Sequence, residues 1–305
     1  MPGSTLKRVV VAGGSGLVGR PLVRALAAAG AEVAVLSRAP KRLDLPWGAM
    51  GYEWAHLSNL LEGADAVINL AGEGIAEGRW TRARKQVLLD SRIQTTDRLV
   101  QAMAKCQRPP AALVNASAIG WYIPRDGAPV DEASAPGTGF LAEVCQAWEA
   151  AALKASDLGV RVARVRIGVV LAREGGALPK MVLPVRFYQA CKLGSGTQGL
   201  SWIHLEDLVA ILVEAAGNPA WEGAFNGTAP EPLSNEAFTR LIAHRLGRPM
   251  LPIPGFLTAG ILQLALGELA QALLLQGAFV RPAHALDLGF AFRFPTAQAA
   301  LEDLL

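Results

Sequence analysis

The chain has 305 residues, 51% hydrophobic and 18% charged, with a net charge of +3. That is enough apolar material for one large domain, or one domain and a small appendage, and it excludes a disordered chain. Lys and Arg are scattered, which argues against nucleic acid as a partner. Cys106, Cys145 and Cys191 are far apart, as are His56, His204, His244 and His284, so neither a disulfide framework nor a metal site is expected.

Met1 to Leu6 is polar, and no signal peptide is read there. With dispersed cysteines, this points to a reducing, cytoplasmic setting. The apolar run Arg8 to Ala12 reads as a buried strand and leads into Gly13-Gly14-Ser15-Gly16-Leu17-Val18-Gly19. Val18, Leu22, Val23, Leu26 and Ala29 then recur at helical spacing. A glycine turn between strand and helix aims backbone N–H groups and a helix N-terminus at one point, which suits a phosphate. The turn fits both Gly14-x-Gly16-x-x-Gly19, a general dinucleotide fingerprint, and the wider Gly13-x-x-Gly16-x-x-Gly19.

The second strand, Glu32 to Leu36, ends at Ser37-Arg38, with Lys41 and Arg42 following. A site for NAD needs a carboxylate there to accept the ribose hydroxyls. A hydroxyl and a guanidinium fit a 2′-phosphate instead, so the expected cofactor is NADP(H).

A weak strand near Tyr52-Trp54 and a short helix at Leu57 to Leu61 precede the buried strand Asp65 to Asn69, which ends in Leu70-Ala71-Gly72. Small residues there let a flat cofactor lie close. Glu73 to Trp80 is a loop carrying acid, base and indole, and a long helix spans about Thr81 to Cys106. The strand Ala112 to Ser117, a helix from Phe140 to Leu158 and a strand from Val160 to Leu171 complete an alternation that predicts a doubly wound parallel α/β sheet.

Beyond residue 171 come a glycine loop opening a helix (Glu174 to Met181), a loop at Gly194 to Gly199, a short strand Trp202 to His204, a strand Ala224 to Asn226 and a helix Ser234 to Leu246. Pro249, Pro252 and Pro254 mark a boundary. The expected domains are therefore 1–248, with substrate-side insertions from about 172, and a smaller, mostly helical part over 249–305. Phe256 to Val280 is long enough to cross a bilayer. Gln263, Glu268, Gln271 and Gln276 interrupt it and Gly267 offers a break, so two buried helices and no membrane partner are expected.

The glycine loop, Asn69-Leu70-Ala71-Gly72-Glu73, Arg79-Trp80, Ser91-Arg92, Trp202-Ile203-His204 and Gly289-Phe290 together resemble the atypical, extended short-chain dehydrogenase/reductases. More narrowly, the chain resembles the YfcH-like NAD(P)-dependent epimerase family with its C-terminal domain of unknown function, from about Lys7 to Leu305. The resemblance implies an extended Rossmann domain that binds NADP(H). It also implies cofactor contacts from Ser37, Arg38, Leu70, Ala71 and Arg92, joining Gly13, Ser15, Gly16, Leu17, Val18, Gly19, Gly72 and Glu73 of the loops. It implies no substrate.

The wider superfamily uses Ser, Tyr and Lys, with tyrosine as acid/base. Ser117 stands at the serine position, but Leu141 and Cys145 fall where the Tyr-x-x-x-Lys belongs, and neither replaces it. A literal Tyr188-x-x-x-Lys192 lies too far downstream. Tyr122, expected at the mouth of the crevice with Lys180 or Arg79 to help it ionise, is the other catalytic candidate; Glu73 and His204 are possible bases. Substrate contacts are expected from Arg79, Trp80, Trp121, Lys180, Trp202 and His204. The functional expectation is an epimerase-like or carbonyl oxidoreductase using NADP(H) on an unidentified small molecule; the alternative is a catalytically silent NADP(H) sensor. A homodimer is left open.

Overall fold

The computed structural model describes residues 6–45, 48–124 and 127–305, and the polar stretch ahead of Leu6 lies outside them. In chain order the first half is β1 (Arg8–Ala12), α1 (Gly19–Ala28), β2 (Glu32–Ser37), β3 (Met50–Glu53), α2 (Leu57–Leu61), β4 (Ala66–Asn69), α3 (Arg82–Met103), β5 (Ala112–Ala118), α4 (Phe140–Leu153) and β6 (Arg161–Ile167). There follow β7 (Val169–Leu171), α5 (Leu178–Arg186), β8 (Gly199–Leu200), β9 (Trp202–His204), α6 (Leu205–Gly217), β10 (Gly223–Gly227), β11 (Leu233–Ser234) and α7 (Asn235–Arg245). The C-terminal part holds α8 (Gly255–Leu266), α9 (Glu268–Ala270), α10 (Ala283–Asp287) and α11 (Ala297–Leu304).

Seven parallel strands form one sheet in the order β10-β6-β5-β4-β1-β2-β3. The central strands are apolar at nearly every position because both faces are covered. Val9 and Val11 of β1 pack on Leu22, Val23 and Leu26 of α1. Val10 and Ala12 share the opposite core with Leu57, Leu61 and Leu99. Burying each such valine or leucine contributes about 1.5–3 kcal/mol, so β1 is held from both sides. The strand order reverses between β1 and β4. The loops after these two strands run apart and open a crevice at the carboxyl edge.

Two local expectations are corrected and one is met. The strand Val160 to Leu171 is not continuous: at Gly168 the chain passes so close to Ser201 that a β-carbon would lie 2.7 Å from its carbonyl oxygen. Past that point β7 leaves the sheet to pair with β9. The expected strand Ala224 to Asn226 forms, within β10, and joins the main sheet as its seventh strand, paired with β6. Finally, Phe256 to Val280 is not a pair of buried helices. Gly267 breaks it as expected, but Phe256, Leu257, Ile261 and Leu264 of α8 are exposed and only Thr258 of that helix is buried. Among the described residues no helix is long and apolar enough to cross a membrane.

Candidate functional site

The glycine loop closes the amino end of α1. The Gly16 N–H donates to the Gly13 carbonyl at 3.1 Å, and Gly13 holds φ 83°, a backbone that favours glycine. A β-carbon on Gly19 would sit 2.2 Å from the Gly13 oxygen; one on Gly13 would sit 2.7 Å from the Leu70 carbonyl carbon. So the loop lies flat against its own helix and against the end of β4. No side chain caps α1 and its first turn carries no acid. In the first turn the Arg20 N–H is taken by the Gly16 carbonyl at 3.0 Å and Pro21 has no N–H, so it is the glycine loop leading into α1 that presents backbone to an anionic ligand, with Ser15 and Gly16 exposed and Leu17 and Val18 half-buried. This cradle fits a pyrophosphate.

At the end of β2, the Ser37 hydroxyl accepts from the Ala39 N–H at 3.1 Å and keeps its own hydrogen to donate. The Arg38 side chain is 90% exposed, with the Glu73 carboxylate 3.9 Å away. Glu73 reaches the second strand's end from across the crevice. It also pairs with Arg84, at 3.7 Å, a residue that carries no sequence signal of its own. Arg84 also donates to the Gly74 carbonyl at 2.7 Å. Arg92 donates to the carbonyls of Glu73 (3.1 Å) and Leu88 (2.9 Å), lies 3.2 Å from where a Gly72 β-carbon would be, and stacks 5.2 Å over Trp148. Burial pushes its pKa below the ordinary value. Arg92 therefore shapes the Gly72–Glu73 backbone. Leu70 and Ala71 border the same edge, and the Asn69 side chain accepts from the Ala71 N–H at 3.2 Å.

Behind this edge, Asn69 donates to Asn115 (2.7 Å) and Thr96 (3.0 Å), and Trp148 donates to Thr96 (3.1 Å). This buried network ties the ends of β4 and β5 to α3 and α4.

Ser117 and Tyr122 do not sit open in the crevice. Ser117 donates to Glu149 at 2.8 Å. Glu149 in turn accepts from Arg166 (2.8 and 3.0 Å) and Arg164 (3.1 Å). Tyr122, expected at the crevice mouth, is 0% exposed. Its hydroxyl donates to Asn226 (2.8 Å) and accepts from Arg166 (2.7 Å). Burial pushes its pKa up to about 12, outweighing the lowering by Arg166. The cation beside it is thus Arg166, stacked 3.9 Å over Trp121, and not Lys180 or Arg79. Lys180 is exposed, and Arg79 donates to the Leu264 and Ala265 carbonyls at the end of α8.

Cys145 is buried, its pKa pushed up to about 11 by that burial, and Leu141 is buried one turn before it on α4. His204, Trp202 and Trp80 are each engaged in contacts within the fold. His204 caps α6, its Nδ1 accepting from the Glu206 N–H at 3.1 Å, and its ring stacks 3.8 Å from Phe294. Trp202 is fully buried and donates to the Glu231 carbonyl. Trp80 packs edge-on against Phe140 at 5.2 Å. Tyr188, of the displaced Tyr-x-x-x-Lys, is exposed and accepts a hydrogen bond from Arg248. Among the described residues no cluster could hold a metal ion.

A parallel sheet with a glycine cradle at its switch point defines a Rossmann-type dinucleotide fold. The model of the NAD dependent epimerase/dehydratase family matches residues 9–226, and a domain of unknown function matches residues 257–304. The chain belongs to that family. It is 38% identical over 306 residues to the chloroplastic epimerase family protein SDR39U1 homolog of Arabidopsis thaliana, covering 97% of this chain and 86% of that one. It is 40% identical over 295 residues to epimerase family protein MT2273 of Mycobacterium tuberculosis, covering 96% of each. The crystal structure of human epimerase family protein SDR39U1 with NADPH superposes with a TM-score of 0.86 at 35% identity, covering 97% of this chain and 98% of that one.

Proposed function

We propose that this chain binds NADP(H) and acts as an oxidoreductase or epimerase on a small carbonyl or sugar-like molecule, with residues 1–248 holding the cofactor and 249–305 completing the substrate side. The observation that carries the reading is the uncapped amino end of α1 at the switch point, with Ser37 and Arg38 at the end of β2. In this reading Gly13, Ser15, Gly16, Leu17, Val18 and Gly19 surround the pyrophosphate. Ser37 and Arg38 hold the 2′-phosphate, and Leu70, Ala71, Gly72, Glu73 and Arg92 border the far side. The human relative crystallised with NADPH supports the choice of cofactor.

Held by these residues, the nicotinamide would supply or accept a hydride. Ser117 and Tyr122 brace the wall beside it and move no proton, because both hydroxyls are engaged in the Glu149–Arg166 network. Calorimetric titration with NADPH tests the cofactor assignment, and absence of heat with either redox form removes it. A carbonyl screen followed by NADPH absorbance tests the reaction.

The same engaged hydroxyls favour a second reading, a catalytically silent NADP(H) sensor. Tight NADPH binding with no turnover across a broad carbonyl panel selects it.

A further inference from the structure

Glu73 is fixed by its backbone, while its carboxylate is left loose. Its N–H donates to the Ser91 hydroxyl at 3.2 Å and its carbonyl accepts from Arg92 at 3.1 Å, so the main chain is tied to α3 on both sides. The carboxylate lies between two guanidiniums, 3.9 Å from Arg38 and 3.7 Å from Arg84. Both separations are too long for a hydrogen bond. The carboxylate is shared between the two cations and bonded to neither.

This position spans the switch point. Arg38 follows β2 and Glu73 follows β4, and the sheet order β4-β1-β2 sets the glycine cradle after β1 between them. The two guanidiniums differ. The Arg38 side chain is almost wholly exposed, so water and salt weaken its hold on Glu73. The Arg84 side chain is only 23% exposed, and its Nε–H is buried with no hydrogen-bond partner among the described residues. Glu77, 3.9 Å away and largely exposed, is the other acid that faces Arg84. An orphan donor on the more buried guanidinium gives the Glu73 carboxylate a second place to settle.

A 2′-phosphate that takes the Arg38 fork meets the Glu73 carboxylate beside it, like charge against like charge. A free 2′-hydroxyl meets an acceptor there and is not opposed. We propose that Glu73 is a mobile counter-ion that sets the preference between NADPH and NADH: it neutralises Arg38 in the free protein and turns to Arg84 when a 2′-phosphate displaces it. The proposal rests on reading the crevice as the NADP(H) site. The displacement uses up part of the phosphate's binding, so Glu73 keeps NADPH affinity below what Ser37 and Arg38 alone would give. Arg84 limits that loss by receiving the carboxylate.

Calorimetry with NADPH and NADH on the full chain tests this, using wild type, Glu73→Gln, Arg84→Gln and the double variant. Glu73→Gln should bind NADPH about threefold to tenfold tighter, the scale of one partly exposed charge facing a phosphate dianion. It should bind NADH no tighter than wild type does. Arg84→Gln should weaken NADPH by a similar factor and leave NADH within about twofold. In the double variant the Arg84→Gln effect should vanish, because no carboxylate remains to be received. A merely structural role would move both nucleotides together and persist in the double variant. The proposal is overturned if Glu73→Gln leaves NADPH affinity unchanged or weakens it, if NADH tightens as much as NADPH, or if the Arg84→Gln effect survives beside Gln at position 73. Thermal melts establish that each variant is folded, and Glu73→Ala takes the place of Glu73→Gln if the latter melts early. No heat from NADPH with wild type is a separate result: it removes the cofactor reading itself, and the proposal with it.

Discussion

Ser117 gives its hydroxyl hydrogen to Glu149, 2.8 Å away and on the facing helix. In a serine that orients a substrate oxygen this hydrogen points into the crevice. Here it points into a carboxylate that also receives Arg164 and Arg166. The residue at the superfamily's serine position is part of a buried ion network that welds β5, β6 and α4 together.

Glu149→Ala should be among the most damaging single changes in the protein. It leaves two guanidiniums without their carboxylate, one of them buried, and breaking such a pair costs about 3–5 kcal/mol. Urea unfolding should show a large drop in midpoint at constant m-value; a change below about 1 kcal/mol would show the network to be dispensable.

Tyr122→Phe should leave any turnover within about threefold of wild type, since its hydroxyl is already engaged at both ends. Stability should fall by roughly 1–3 kcal/mol, because Arg166 and Asn226 each lose a buried partner. A rate loss of a hundredfold or more in a stably folded variant would return Tyr122 to the chemistry.

Alkaline pH should destabilise the protein over a defined window. Burial raises Cys145 to about 11 and Tyr122 to about 12. Between the ordinary values of these groups and the raised ones, the unfolded chain releases protons that the folded chain keeps. Stability from these groups is therefore fully present below about pH 8.5 and falls progressively up to about pH 12. Tyr122→Phe should flatten the upper part of that fall, which thermal melts in steps of pH will reveal.

Arg38→Ala should weaken NADPH by about tenfold to a hundredfold, the loss of one charge-assisted contact of about 1.5–3 kcal/mol. NADH affinity should hardly change. Equal weakening of both nucleotides in calorimetry would place the 2′-phosphate elsewhere.

Gly19→Ala tests the cradle itself. Its β-carbon would meet the Gly13 carbonyl oxygen at 2.2 Å, and backbone cannot move aside as a flexible side chain can. A lowered melting temperature together with loss of NADPH binding is expected; wild-type affinity would mean that the loop does not cradle the phosphates.

Much of the layout was legible in one dimension. The β1 run with its glycine turn, the Ser37-Arg38 ending of β2 and the small residues after β4 depend on local patterns of hydropathy and residue size. The Gly267 break was legible for the same reason. Less of the site was legible. Glu149, Arg164 and Arg166 lie on different elements, and their pairing depends on where α4 packs against β6. Ser117 joins them because β5 and β6 are neighbours in the sheet. Arg84 gave no signal because it looks like any exposed residue of a polar helix. Tyr122 and His204 carried the right chemistry in promising positions, but burial and capping have committed both.

By itself the sequence determined the α/β alternation, the glycine turn between β1 and α1 and the absence of the Tyr-Lys pair, because each is a matter of residue type and spacing along the chain. Only the tertiary structure decided that β10 joins the sheet, that α8 stands exposed, and that Ser117 and Tyr122 spend their hydroxyls on Glu149, Arg166 and Asn226. Those outcomes rest on contacts between residues as far as 104 positions apart, as in Tyr122 with Asn226. Whether a polar side chain faces a ligand or a buried partner is settled by which strands and helices become neighbours, a property that no local pattern contains.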